Sequence, residues 1–319
     1  MILIFLSVFF VNTPSLLAWS FLVHYSLGRD KGYSHETAAF FNLPDLWPNM
    51  PEISGVPYWT TITDEFCWSH GLQRNGNTYV IADAIFGLSA VEPIPIPNEP
   101  NNPNDSREPG IVMKKLINDK VKWNNDSDKQ LATKTATYFT GHNAADAVVH
   151  FSYFLAGSAT NWFTNHKIKE TWAEYAVMDQ LGKITFTNGC ITQFSNVSIN
   201  PNDSSQTIIP MSVENIDPKI IILAQKVARK NRMALDKGDN PTRFTTISTI
   251  AGITTLINNC SSNANSFIRN MNQDSYNSFT EKAISNGWIQ RQYDQLNSAF
   301  IYDYSTLMNK YNSALLAMP

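Results

Sequence analysis

The sequence predicts an all-α class of fold: one multi-helix domain with long loops. Three observations carry that expectation. Apolar residues recur at helical spacing over 20–42, 131–157, 165–182, 217–235, 246–271 and 277–316. Start and stop signals flank these runs. Asp217 and Pro218 stand at N-cap and first-turn positions, and Gly182 closes the run that begins at Asn165. Between the runs lie stretches rich in Pro, Asn, Ser and Thr that do not sustain regular helix.

Taken in order, the 319-residue chain opens with MILIFLSVFFVNTPSLLAW. The uncharged apolar run Ile2 to Val11 is too short to span a bilayer as a helix, and it suits the core of a signal peptide. Ala18 is a good residue before a cleavage point, although Leu16 occupies a position where a small side chain is preferred. Residues 1–18 are therefore expected to be a signal peptide and 19–319 a single exported domain, secreted or periplasmic. The segments 43–59 and 91–110 are Pro-rich and read as loops, the second as a solvated insertion with a lid as its alternative. Residues 184–212 read as an irregular or hairpin stretch. Three cysteines, Cys67, Cys190 and Cys260, give one disulfide and one spare thiol as the simplest expectation for an exported chain, with the pairing open. The formal net charge of −3 rules out bulk attraction to polyanions as the basis of function.

The informative stretch is GHNAADAVVH, residues 141–150. His142, Asp146 and His150 are spaced i, i+4, i+8, which puts all three on one side of a helix. A second pair, His166 and Glu170 in HKIKE, repeats the spacing. Zinc takes this mixture of imidazole and carboxylate ligands. Each pair alone also fits a solvated helix face. The neighbours Val148, Val149, Phe151, Tyr153 and Phe154 are too apolar for such a face, and buried polar groups need partners that a metal ion supplies.

With these residues in view, the region from Trp19 to Gly182 resembles the zinc-dependent phospholipase C family, a relative of the fungal single-strand-specific zinc nucleases. The family implies an all-helical bundle holding three zinc ions through an N-terminal Trp, five His, two Asp and one further carboxylate. Matching residues occur in order: Trp19, His24 in WSFLVH, Asp45 in LPDLWP, His70 in CWSHG, His142, Asp146, His150, His166 and Glu170. Asp64 in TDEFCWSH is the rival to Asp45. By the family's pattern one zinc takes Asp45, His70, His142 and Asp146. A second takes the Trp19 amine and carbonyl, His24 and the other oxygen of Asp146. The third takes His150, His166 and Glu170. Cleavage before Trp19 would create its ligand, because a free α-amine has a pKa of about 8 and deprotonates near neutrality. One departure is plain: three residues separate Asp146 from His150, where the better-known members have five.

The resemblance implies phosphodiester hydrolysis, with Asp45 orienting or deprotonating the attacking water as well as binding zinc. A phospholipase C acting transiently on phospholipid at a membrane surface is the first expectation, as a monomer with no stable nucleic-acid complex. Glu170 at the last ligand position favours it. Trp47, Tyr58, Trp59, Phe66 and Trp68 offer rings for a choline ammonium or a bilayer interface, and each also fits a core position. The Trp19–His24 spacing leans toward the alternative, a single-strand nuclease or nucleotidase. A zinc- or lipid-binding protein without activity is the third class. His35 falls outside the ligand set and reads as a surface or helix-start residue.

Overall fold

A computed structural model of the chain describes residues 21–49, 74–75, 78–79, 109–150, 172–235, 249–285 and 304–319. Helix dominates these residues, beside a small three-stranded antiparallel sheet, which is roughly the all-α class expected. The first apolar run is not one helix. It divides into α1 (Phe21–Asp30), a turn, α2 (His35–Ala39) and a 3-10 helix (Phe40–Asn49). Gly32, at a φ of +95°, ends α1 in a backbone conformation that side chains disfavour. Ser34 caps α2 by accepting from the Thr37 N–H, so His35 is the helix-start residue expected.

The 3-10 helix corrects the loop expected from residue 43. Pro44 and Pro48 withhold the N–H groups a regular α-helix needs, yet their fixed φ suits the tighter turn. Residues 50–59 lie outside the described residues, and so do 91–108. Pro109 and Gly110, read as the end of a loop, instead open α3 (Pro109–Asp119), with proline at the first position where its missing N–H costs nothing.

The central stretch forms α4 (Asp126–His150), preceded by the short two-stranded pair β1 (Arg74–Asn75) and β2 (Thr78–Tyr79). Residues 172–180 form α5, which stops at Gly182 as its sequence predicts. There the Lys183 N–H reaches back to the Met178 carbonyl at 2.8 Å, the bond that closes a glycine-terminated helix. The Thr/Ser/Asn-rich stretch resolves into a meander of β3 (Ile184–Thr187), β4 (Cys190–Phe194) and β5 (Val197–Ser198). Asn188 and Gly189, both at positive φ, make its tight first turn. Asp217 caps α6 (Pro218–Leu235) by accepting from the Lys219 N–H at 2.9 Å. Helices α7 (Ile250–Arg269), α8 (Gln273–Ser285) and α9 (Tyr304–Ala317) complete the chain. Among the described residues no helix is long and apolar enough to cross a membrane. Cys190 is exposed, Cys260 is buried, and neither is bonded to the other.

Helix α1 is the hub. Residues 22–28 are buried without interruption, so it is covered on every side rather than along one stripe. It packs on α2, the 3-10 helix and α9, while α4 packs on α3, α9 and the 3-10 helix. Phe41 wedges between α1 and α4 where two glycines leave room. A Cβ on Gly28 would lie 2.7 Å from its ring, and one on Gly141 only 2.2 Å away. A polar knot ties the far end of α1 to the chain after α5 and to α9. Lys183 Nζ donates to Ser26 Oγ and Asp30 Oδ1, each at 2.5 Å, and Tyr311 donates to Asp30 Oδ2 at 2.7 Å.

Four buried tyrosines make the fold alkali-sensitive. Burial raises the phenols of Tyr25, Tyr138, Tyr175 and Tyr311, that of Tyr25 to about 12. In the unfolded chain each ionises near pH 10, so above about that pH the folded state holds more protons than the unfolded state. Their contribution is thus complete below about pH 10 and is lost as pH rises toward 12 and beyond. In an alkaline titration the last phenolate absorbance is expected to appear together with loss of the helical dichroism signal. Full ionisation with that signal intact would contradict the burial.

Candidate metal centre

The structure brings together two of the residues chosen from the sequence, His24 and His142. His24 lies on the second turn of α1 and His142 in the later part of α4. Both are buried, at 1% and 0% exposure. Their rings stack with centroids 4.1 Å apart and planes 26° from parallel. The close approach follows from the packing: His24 lies one helical turn before Gly28, and His142 is next to Gly141. Those are the two glycines that admit the Phe41 ring and let α1 and α4 come near.

Phe41 contributes more than its ring. Its backbone carbonyl lies 2.7 Å from His142 Nδ1. A carbonyl only accepts, so Nδ1 carries the hydrogen and donates. In the neutral ring the lone pair is then on Nε2. This is the arrangement that prepares an imidazole for a metal: one nitrogen held by a backbone carbonyl, the other left as a base. The same 3-10 helix carries Asp45 in its next turn. Asp146 and His150 continue along α4, one and two turns beyond His142. The side chains of all three lie outside the described residues. So do Trp19, Asp64, His70, His166 and Glu170, and the rings of Trp47, Tyr58, Trp59, Phe66 and Trp68. Among the described residues no group of three potential metal ligands occurs.

Imidazole is a ligand type that zinc takes. Two buried imidazoles face each other on rigid helices, and one has its tautomer set for ligation. His35, by contrast, is engaged elsewhere. Its Nδ1 shares a hydrogen bond with the Tyr25 hydroxyl. Burial holds the His35 pKa below its ordinary value, with Arg29 adding to the effect and Glu36 opposing it.

Two functional groups escape a sequence-only reading. The Phe41 carbonyl has no residue signature at all. Glu174, on α5, is fully buried, and its Oε1 accepts from the Leu22 N–H at 2.8 Å and the Val23 N–H at 3.3 Å. A signal for it was present: a lone carboxylate inside the apolar run TWAEYAVM, one helical turn after Glu170. The chain matches no protein-family model, no curated protein and no solved structure.

Proposed function

We propose that the chain is an exported zinc-dependent phosphodiester hydrolase built on the helical bundle of the zinc phospholipases C, cleaving glycerophospholipids to diacylglycerol and a phosphorylated head group. The observation that carries this reading is the buried stack of His24 on His142. Those two residues were selected for ligand spacing and family pattern, they lie on different helices, and they meet in the interior. Nothing in the chain's composition brings two of its six histidines into one buried contact.

In this reading His24 and His142 hold neighbouring ions, with Asp146, Asp45, His70 and the Trp19 amine as their co-ligands, and His150, His166 and Glu170 hold a further one. Bound zinc supplies positive charge against the phosphodiester oxygens and makes hydroxide accessible near neutral pH. The protein's own part is positional and basic. The Phe41 carbonyl accepts from His142 Nδ1 and so fixes which ring nitrogen carries the hydrogen. Asp45 would orient or deprotonate the attacking water as well as bind zinc.

The test offers the zinc-loaded chain beginning at Trp19 two substrates in parallel, phosphatidylcholine vesicles and single-stranded DNA, each with and without chelator. Diacylglycerol released only without chelator is the expected result. Nucleotide release instead would move the same centre to the nuclease class, which the Trp19–His24 spacing favours. Bound zinc with no product from either would leave a zinc- or lipid-binding role.

A further inference from the structure

We propose that the outer face of α6 is a docking surface for an anionic phospholipid membrane. The proposal stands apart from the zinc reading, because it concerns a surface and not the metal centre. Helix α6 carries Lys219, Lys226, Arg229, Lys230 and Arg232 within its 18 residues and no Asp or Glu. Five of the chain's 24 lysines and arginines thus fall in one helix, although the whole chain has a formal charge of −3. The attraction for anions is therefore local to this helix rather than a property of the whole molecule. Packing sets which way the helix faces. Ile220, Ile221, Ala224 and Gln225 are buried, and α6 packs mainly on α3, with smaller contacts to α4 and α7. Lys219 and Lys226 are exposed on the opposite side, and the half-buried Ile222 and Leu223 lie one turn from each of them. The ion pairs of the described residues, Lys115–Asp119 and Lys183–Asp30, involve neither lysine.

The chemistry of that face matches a headgroup layer. The ammonium groups meet lipid phosphates and serine carboxylates, and an anionic leaflet attracts each cation held near its surface. Ile222 and Leu223 keep apolar surface that the protein does not seal, and the boundary between headgroups and acyl chains takes it up. A nucleic acid offers the same charge, but it fits this face less well. No residue of α6 is aromatic, so there is no ring on which a base could stack. The two aliphatic side chains between the lysines also offer nothing to a sugar–phosphate strand.

The experiment sediments the chain beginning at Trp19 with phosphatidylcholine vesicles, made with and without phosphatidylserine. That start keeps the apolar run Ile2 to Val11 from binding lipid by itself. Binding is read both in chelator, which stops zinc-dependent hydrolysis, and in buffered zinc in the cold. The helical dichroism signal of every protein is recorded in each condition. The folded parent is expected to bind the phosphatidylserine vesicles far better than phosphatidylcholine alone, and to release them as salt is raised. Lys219→Ala and Lys226→Ala are each expected to weaken binding about 5-fold, and the double variant about 30-fold. Lys31→Ala combined with Lys129→Ala removes two exposed lysines elsewhere and should leave binding close to the parent's. A parent without preference for phosphatidylserine overturns the proposal. So does a folded Lys219/Lys226 double variant that binds like the parent, or a control pair that loses as much. Single-stranded DNA is offered in parallel. DNA binding that the double variant loses, with no vesicle binding, overturns the proposal in favour of a nucleic-acid surface. An inactive chain that docks fails only the hydrolase reading, and an active chain that does not dock fails only this one.

Discussion

Replacing His142 with alanine is expected to remove zinc-dependent activity, lowering the hydrolysis rate by at least roughly 100-fold, the upper end of what losing a residue behind a metal ligand costs. The reasoning starts from the ring's two engagements. Nδ1–H donates to the Phe41 carbonyl at 2.7 Å, and the ring face packs on His24. Alanine deletes a ligand, opens a cavity beside His24 and removes the donor from a buried carbonyl. The lost bond alone costs about 1–3 kcal/mol of stability. Two effects are therefore expected together in a melting experiment. The variant melts below the parent chain, and its melting temperature no longer falls when chelator is added. In the parent, zinc held at a thousand times its dissociation constant adds about 4 kcal/mol, which chelator removes. A variant with the parent's zinc content and rate would show that His142 is a packing residue.

Gly141→Ala is the second large effect, and it acts one residue away without touching a ligand. The added methyl would sit 2.2 Å from Phe41 Cε1 and 2.7 Å from Cδ1, with Met318 Cε at 3.3 Å behind. No rotamer change of alanine avoids this, and the Phe41 ring is held on its other side by Gly28 and by an edge contact with Tyr138 at 5.8 Å. Helix α4 must move from the 3-10 helix, or Phe41 must leave its slot. Overpacking of this kind costs about 3 kcal/mol. Either movement also carries the Phe41 carbonyl off His142, so zinc affinity is expected to fall about 10- to 100-fold beside the loss of stability. Phe41→Leu removes the ring edge that the methyl meets. In the double variant the two stability losses should be less than additive, as for residues sharing one space. Additive losses in denaturant unfolding would place the strain elsewhere.

The parts of this fold legible from the sequence are those decided within a few residues. Asp217 with Pro218, and Gly182, mark helix ends because capping is a local matter of one side chain or one φ angle. The stretch 184–212 reads only as irregular or hairpin, and its first turn, at Asn188 and Gly189, is a local matter of two positive φ angles. The run 20–42 reads as helical and is helical, but its apolar spacing continues past Gly32 and so does not show the breaks. Periodicity reports which residues are buried, not whether one helix or three buries them. At the candidate metal centre, the ladder His142, Asp146, His150 is visible as spacing. That His24 lies against His142 depends on how α1 crosses α4, which two glycines and one phenylalanine decide and no local pattern announces. The Phe41 carbonyl is beyond sequence reading altogether, since every residue has one.

The central claim is that the buried histidine pair belongs to a zinc centre, and zinc content tests it most directly. The chain beginning at Trp19 and its His142→Ala variant are purified without added metal, brought to equilibrium with buffered zinc and measured by element mass spectrometry. The account predicts tightly held zinc in the parent, at the three ions the family resemblance implies, and a clear loss in the variant. A folded parent chain that binds no zinc, or a variant that binds as much, would contradict it.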